Sequence, residues 1–473
     1  MNRLSFLPIL TNACFLVGLT LLGAGAAEAG TCRVAVNGLA GNDGTTWANA
    51  LPLQGALQSP ACTEIWVASG RYKPGSSPGE SFVVPAGTRV FGGFSGNETT
   101  RAQRDPAAHL TILSGDIDNN DAIDSDGITP DTSAIVGTNS EHVVTMNGNN
   151  VPIGPSTVLD GFIITAADSA NDGGGLWCRA SLKTTSECSP QLRRLRFQGN
   201  RAANGGGIYF GGEVGAASTA RLADVSFVSN RATERGGAIY NSGYSNGNSS
   251  PRIERATFAH NSADVAGGAI YNGGYANGRS DPIIVNTSFV GNTSMYGGAI
   301  SGSASTGGHV SPILTNVTFS GNQASAQGNA MQLSCNSGTC GATIRNAIIW
   351  DTGNSYAGEF VGGVSTMTIQ RSIVHAGCPV GANCQAVVIA DPLLGPLQDN
   401  GGLTPTMLPE DWSAAIDAVS CSRAPFQDQR GAPRPDPLSA GLAARCDLGA
   451  VEVDAMPSDS IFADGFGLLP LRK

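Results

Sequence analysis

Charged residues are scarce in this chain, at 14% of 473 residues, whereas an average protein has about a quarter. This scarcity, together with 64 glycines, argues against helical bundles and favours short strands and tight turns. Runs of basic residues are also absent, and the formal net charge is −10. We therefore expect neither a nucleic-acid partner nor attraction to an anionic membrane.

Apolar runs long enough to span a bilayer are absent after the N-terminal segment. In that segment Arg3 precedes an apolar stretch at 6–22, and Ala27 to Ala29 gives a small-x-small cleavage site. We interpret residues 1–29 as a signal peptide. The alternative is a permanent membrane anchor, against which Pro8 and the short length argue. We expect an exported protein, extracellular or on the outer surface of a bacterium.

A pair of short motifs recurs five times in the middle of the chain, Phe-x-x-Asn followed by Gly-Gly-Ala-Ile or a close variant. Successive phenylalanines are 30, 31, 31 and 30 residues apart, so each unit is the size of one coil. One unit cannot bury its own apolar face, but units stacked about 4.8 Å apart share a continuous core. We therefore predict an all-β fold, a right-handed parallel β-helix, with a short N-terminal capping helix within 47–57.

Each repeated position should become a ladder of like side chains inside the solenoid. The expected ladders are aromatic (Phe197, Phe227, Phe258, Phe289, Phe319), aliphatic (Leu176, Ile208, Ile239, Ile270, Ile300) and amide (Asn200, Asn230, Asn261, Asn292, Asn322). Inward asparagines can bond the backbone and the asparagine of the next coil. The paired glycines should allow a positive φ or a close approach between coils.

These couplets resemble the repeats of the polymorphic outer-membrane protein family, over residues 173–331. That resemblance implies a parallel β-helix displayed on a bacterial surface. Other motifs resemble the choice-of-anchor Q proteins, which are surface or secreted β-helices with varied anchoring tails. Those motifs are Phe91-Gly-Gly-Phe-Ser-Gly-Asn-Glu98, Asp399-Asn-Gly-Gly-Leu-Thr-Pro405, Asp428-Gln-Arg-Gly-Ala-Pro-Arg434 and Cys446-Asp-Leu-Gly-Ala-Val-Glu452.

The chain accordingly divides into six segments. They are a signal peptide (1–29), an N-terminal cap with the first coils (30–165), regular repeats (166–345), shorter coils (346–385), a choice-of-anchor Q type segment (386–453) and a tail (454–473) that is either a sorting signal or a frayed terminus.

Ten cysteines follow the signal peptide, without the C-x-x-C spacing of a zinc site. Because neighbours along a solenoid are neighbours in space, we predict that each cysteine pairs with the next one. The predicted disulfides are Cys32–Cys62, Cys178–Cys188, Cys335–Cys340, Cys378–Cys384 and Cys421–Cys446.

Aromatic residues supply the candidate ligand-binding site. Trp177, Tyr209, Tyr240 and Tyr271 directly follow the inward aliphatic ladder, so strand alternation should turn them outward as an exposed column, with Tyr244 and Tyr275 on adjoining loops. Such a column could stack along an extracellular polysaccharide or a host or cell-surface glycan. The alternative is a purely structural ladder. We expect a monomer that acts in adhesion or glycan binding.

An acidic run at 116–126 is a candidate calcium site, with Asp116, Asp118, Asn120 and Asp121 as oxygen ligands. The alternative is a solvated acidic loop. No other cofactor is expected.

Catalysis is the alternative function, because many parallel β-helices are polysaccharide lyases or glycoside hydrolases. The hydrolase motifs are missing. Arg193, Arg194, Arg196 and Arg221 could serve a lyase, but we expect no acidic cluster beside them at coil spacing, so the sequence favours a non-catalytic protein.

Overall fold

The computed structural model describes residues 30–351, 360–362, 365–435 and 445–453. Within these residues parallel strands wind through about ten turns, with almost no helix. The predicted fold class, an all-β parallel β-solenoid, is therefore confirmed. The predicted signal peptide and the tail at 454–473 lie outside the described residues.

Three parallel sheets form the walls of the described solenoid. The main sheet has 19 strands: Thr31–Val34, Glu64–Ala68, Gly70–Tyr72, Arg89–Phe94, Thr111–Ser114, Val158–Thr165, Gln191–Gln198, Ala217–Ser218, Arg221–Val228, Asn248–Ser249, Arg252–Ala259, Arg279–Ser280, Ile283–Val290, His309–Val310, Ile313–Ser320, Thr339–Arg345, Ile348–Trp350, Ser365–Val374 and Asn383–Val388. The second sheet has nine: Phe82–Val83, Val144–Asn147, Leu176–Ala180, Ile208–Glu213, Ile239–Tyr244, Ile270–Tyr275, Ile300–Ser305, Met331–Asn336 and Phe360–Gly362. The third has five: Arg201–Asn204, Arg231–Arg235, Ser262–Ala263, Thr293–Tyr296 and Gln323–Gln327.

The aromatic and aliphatic ladders are confirmed. Neighbouring phenylalanine rings from Phe197 to Phe319 stack with centroids 4.7–5.1 Å apart, and all five side chains are fully buried. The aliphatic residues from Leu176 to Ile300 pair in register along the second sheet. Equal spacing in the sequence therefore places like residues in contact.

The asparagine ladder is also confirmed. Oδ1 of Asn230 accepts bonds from the backbone N and from Nδ2 of Asn200, at 3.2 and 2.9 Å, while Nδ2 of Asn230 donates to the Phe197 carbonyl. The same three bonds recur from coil to coil, and Asp351 takes the asparagine's place after Asn322. The ladder thus pairs polar groups that are completely buried.

The two glycines of each Gly-Gly pair serve different needs. The first has a positive φ, as in Gly236 and Gly267, both at 68°. A Cβ on the second would lie too close to the next coil, for example 2.2 Å from the Gly268 carbonyl oxygen in the case of Gly237. Both reasons predicted for the glycines are confirmed.

At one position in successive coils the main sheet bends at a residue with positive φ, where the pairing skips a position; in one coil this residue, Asn346, lies between two strands. We call these residues the bend column. It consists of Gly161, Arg194, Asp224, Arg255, Asn286, Asn316, Asn346 and Arg371.

All five predicted disulfides are present with the predicted pairing.

The predicted helix at 47–57 is shorter and interrupted. A 3₁₀ turn at Trp47–Asn49 precedes an α-helix at Leu53–Gln58, because Leu51 bridges to Val34 between them. Leu53, Ala56 and Leu57 are buried in the core, and the capping role stays a prediction. The remaining 3₁₀ turns of the described residues are Arg101–Gln103, Thr132–Ala134 and Cys421–Arg423. No helix in the described residues is long and apolar enough to cross a membrane.

After the last coil, residues 399–435 and 445–453 fold back over the outer face of the main sheet, and we call them the return segment. Thr257 donates to the Pro405 carbonyl, Ser288 donates to the Gln429 side chain, and Asn316 donates to the Asp447 and Gly449 carbonyls. Within this segment Val419–Ser420 and Arg445–Cys446 form an antiparallel pair. The return segment thus covers the downstream half of the sheet.

The return segment is held together by a buried ionic network. Arg434 lies 2.7 Å from Glu452, and both side chains are almost inaccessible to solvent. Arg434 also donates to the carbonyls of Asp447 and Gly449. Burial and the nearby Glu452 raise the pKa of Asp447 to about 7. These residues belong to the two motifs at 428–434 and 446–452, so the motifs have a structural role in docking this segment.

Candidate functional site

The predicted tyrosine column lies on the outer face of the second sheet. Tyr209, Tyr240 and Tyr271 pair in register, and their rings stack with centroids 5.4 and 5.1 Å apart. Trp177 pairs with Tyr209 but stacks on His142 of the preceding coil. Tyr244 and Tyr275 form a parallel column at the end of the same strands, rather than on loops.

The expected exposure of the column is wrong for Tyr209 and Tyr271, which are only 5% and 3% exposed. Their rings lie along the strand instead of projecting from it, because the next outward residue is glycine in both strands. Tyr209 reaches over Gly211 to donate to Glu213, and the Tyr271 and Tyr275 hydroxyls bond each other across Gly273. Burial raises the pKa of the Tyr209 hydroxyl well above its usual value.

The open part of this surface is therefore its edge. Tyr244 is 51% exposed, and Tyr240 and Tyr275 are part-buried. The guanidinium of Arg235 lies 5.5 Å from the centroid of the Tyr271 ring. We call Tyr240, Tyr244, Tyr271, Tyr275 and Arg235 the tyrosine patch.

Sequence reasoning missed the charged groups that fix the column. Glu213 is buried and accepts bonds from Tyr209, Ser242 and Arg179, the last at 2.6 and 2.9 Å. Arg179 and Ser242 pair with Gly211 from the two neighbouring strands, so both flank the strand that carries Tyr209 and Glu213. Alignment of the repeat units would have placed them together.

The acidic run at 116–126 is an ordered loop, and its carboxylates bond the protein itself. Asp116 is fully buried beside Arg71 at 2.7 Å, and Asp121 is buried and accepts bonds from Val136 and Asn139. Asp118 accepts bonds from Thr138 and Asn120. The alternative of a solvated loop is therefore wrong for Asp116 and Asp121.

In the described part of the chain no three Asp, Glu, His or Cys side chains converge as a metal-ligand group. The donor set at Asp116, Asp118, Asn120 and Asp121 is committed to these internal bonds and does not fit a calcium ion well. Calcium binding stays an untested prediction.

A second candidate surface lies on the upstream half of the main sheet, where two cavities of about 690 and 360 Å³ share Arg194 in their linings. Eight arginines line them, and we call these residues the arginine strip. They are Arg89, Arg101, Arg104, Arg193, Arg194, Arg221, Arg252 and Arg255.

Single carboxylates from neighbouring coils stand beside these arginines, and sequence reasoning did not identify them. Asp160 bonds Arg104 at 2.8 Å and Arg194 at 2.5 Å, while Asp224 lies 2.6 Å from Arg255. Arg194 and Arg255 lie 34 and 31 positions after their partners Asp160 and Asp224, on the next coil, so their proximity depends on the strand register.

The strip keeps an excess of positive charge. Its eight arginines face four carboxylates, Glu64, Asp160, Asp224 and Glu254. Arg193 and Arg221 are exposed and take part in no ion pair with the described residues. A cationic surface thus lies on a chain whose formal charge is −10.

Arg196 does not belong to the strip. It lies in the outward column between Ile163 and Ser226, and burial lowers the pKa of its guanidinium.

Comparison with known proteins agrees with the repeat. No curated protein is significantly similar to the chain. The family model of the Chlamydia polymorphic membrane protein repeat matches residues 224–242 and 255–273. Each match contains one Phe-x-x-Asn and one Gly-Gly-Ala-Ile-Tyr motif, so two successive coils of this solenoid are similar to polymorphic membrane protein repeats.

Proposed function

We propose that this protein is displayed on or released from a bacterial surface, where it acts without catalysis in adhesion or glycan binding. Polymorphic membrane protein repeats and five disulfides support an exported, surface-associated β-helix. The choice-of-anchor Q resemblance of the return segment supports the same location and adds anchoring by the tail.

The tyrosine patch is the proposed glycan contact. The single observation that carries this proposal is the side-by-side pairing of Tyr244 and Tyr275, next to the stacked rings of Tyr240 and Tyr271. Aromatic faces at such an edge stack on the apolar face of a sugar, and the Tyr hydroxyls and Arg235 offer hydrogen bonds. The buried Tyr209 contributes by supporting the stack.

Glycan-array binding of the full secreted protein tests this function. Tyr244→Ala with Tyr275→Ala should reduce retention on the bound glycan at least tenfold, because the two rings at the edge of the patch are lost while the stacked rings of Tyr209, Tyr240 and Tyr271 remain. Tyr296→Ala is the matched control, because Tyr296 is a part-exposed tyrosine of the third sheet. Unchanged retention in the double variant would reject the patch. Release of unsaturated uronates or reducing sugars from the same glycan would favour the catalytic alternative.

A further inference from the structure

We propose that the arginine strip is a binding site for a linear acidic polysaccharide, separate from the tyrosine patch. The strip lies on the main sheet and the tyrosine patch lies on the second sheet. The proposal therefore goes beyond the proposed function and does not depend on the tyrosines.

The extent of the strip points to a polymer. Arg89, Val158, Gln191, Arg221 and Arg252 pair successively across five neighbouring strands. At about 4.8 Å per strand, these five positions span about 20 Å. A ligand that contacts the whole strip must therefore carry several anionic groups along its length.

At the centre of the strip, Arg193 and Arg221 take part in no ion pair with the described residues, although Arg193 donates to Gln191 and Arg252 is paired with Glu254. Arg221 and Arg252 occupy paired positions on adjacent strands, and Arg193 lies beside them in the lining of the same cavity. The planar guanidinium fork binds carboxylate and sulfate oxygens in pairs. Polymers that carry either group share the required chemistry.

The upstream end of the strip is held in place. The guanidinium groups of Arg101 and Arg104 lie 4.6 and 5.0 Å from the centroid of the Phe91 ring, and Arg104 is also fixed by Asp160. Fixed cations lose less conformational entropy when an anion binds, which favours binding.

Two arginines of the strip lie in the bend column. Arg194 and Arg255 have φ values of 48° and 51°, a left-handed conformation that costs a non-glycine residue about 1–2 kcal/mol. Their ion pairs with Asp160 and Asp224 hold them there. The same bend recurs at Asn286 and Asn316, so what distinguishes the strip at these positions is the charge of the side chains.

A polysaccharide fits this surface better than a nucleic acid does. The formal charge of −10 repels a densely charged polymer outside the strip. Single-stranded nucleic acids also need exposed aromatic side chains for base stacking, whereas the one aromatic residue that lines the two cavities, Trp66, is only 4% exposed. The carboxylates between the arginines suit a ligand with widely spaced charges.

Biolayer interferometry on the full oxidised protein tests the proposal, with polygalacturonate, heparin, neutral dextran and single-stranded DNA as immobilised probes. We expect binding to polygalacturonate or heparin, weakened by salt, and none to dextran. Stronger binding to polygalacturonate would identify carboxylate as the recognised group, and stronger binding to heparin would identify sulfate.

The variant Arg193→Gln with Arg221→Gln and Arg252→Gln should lower affinity for the polyanion at least tenfold. The matched control changes three arginines elsewhere, the part-buried Arg231→Gln with the exposed Arg279→Gln and Arg423→Gln, and should stay within twofold of the parent protein. Equal losses in both variants, no binding of either polyanion, or tighter binding of DNA would overturn the proposal. Tyr244→Ala with Tyr275→Ala should leave polyanion binding unchanged, so failure at one site is distinguishable from failure at the other.

Discussion

The upstream and downstream halves of the main sheet share one backbone geometry but present different surfaces. Upstream, the bend column holds Arg194, Asp224 and Arg255, which face an open groove. Downstream it holds Asn286 and Asn316, whose side chains donate to carbonyls of the return segment. The same bend is thus adapted to ionic contacts where the sheet is open and to amide contacts where it is covered.

This difference shows how a repeat acquires local functions. The inward ladders are nearly constant along the solenoid, because they maintain the stacking of the coils. The outward positions are free to vary, because they depend only on what covers them. Function is therefore expected in outward columns that change character along the sheet, as the bend column does.

Loss of Arg434 should affect the covered half most strongly. Arg434→Ala leaves Glu452 buried without its cation, which should cost about 3–5 kcal/mol and release the return segment. Thermal unfolding should show a large decrease in Tm, with increased proteolysis of 399–453. Arg423→Ala, at an exposed arginine of the same segment, is the control. A Tm within about 1 °C of the parent would contradict the docking role of this network.

Exchange of the bend residues tests the comparison in both directions. Asn316→Arg inserts a large cation beneath the return segment and should cost about 1–3 kcal/mol. Arg255→Asn should change stability by less than about 1 kcal/mol, because it removes only a partly exposed ion pair and asparagine tolerates the left-handed backbone. Chemical denaturation of both variants measures this contrast. Equal destabilisation would show that the two halves do not differ as described.

The pH dependence of stability should report the end of the asparagine ladder. Burial raises the pKa of Asp351 to about 7, so at pH 6 the folded protein keeps a proton that the unfolded chain has lost. Raising the pH from 6 to 8 should therefore remove stability, on the order of 1 kcal/mol from this group. Asp351→Asn should reduce this decrease, and Asp447, whose pKa is also about 7, should account for a remaining part. A steeper decrease in the variant would be inconsistent with this assignment.

The regular parts of the structure could be predicted because identical residues at a constant period must stack. This reasoning identified Phe258, Asn261 and their counterparts, and the sequential disulfides followed from the same topology. It did not identify the return segment, because contacts such as Thr257 with Pro405 join residues 148 positions apart, with no shared motif.

The prediction of an exposed tyrosine column failed because the face from which a side chain leaves the strand does not decide how its ring lies. Strand alternation gave the correct face for Tyr209, but Gly211 and Glu213 decide that the ring lies flat. The positions of Gly211 and Glu213 could be read from the sequence. The sequence also shows that Arg194, Asp224 and Arg255 occupy one position of successive units. The partnership of Arg194 with Asp160 was harder to predict, because Asp160 lies in the less regular upstream coils.

The coverage of one half of the main sheet and the openness of the other can be measured directly by thiol labelling. Ser288→Cys places a thiol beneath Gln429 of the return segment, and Ala223→Cys places one in the open groove between the arginines. With the ten cysteines of the described residues paired, we predict at least a hundredfold slower labelling at position 288 than at position 223. Equal labelling rates at the two positions would contradict the account.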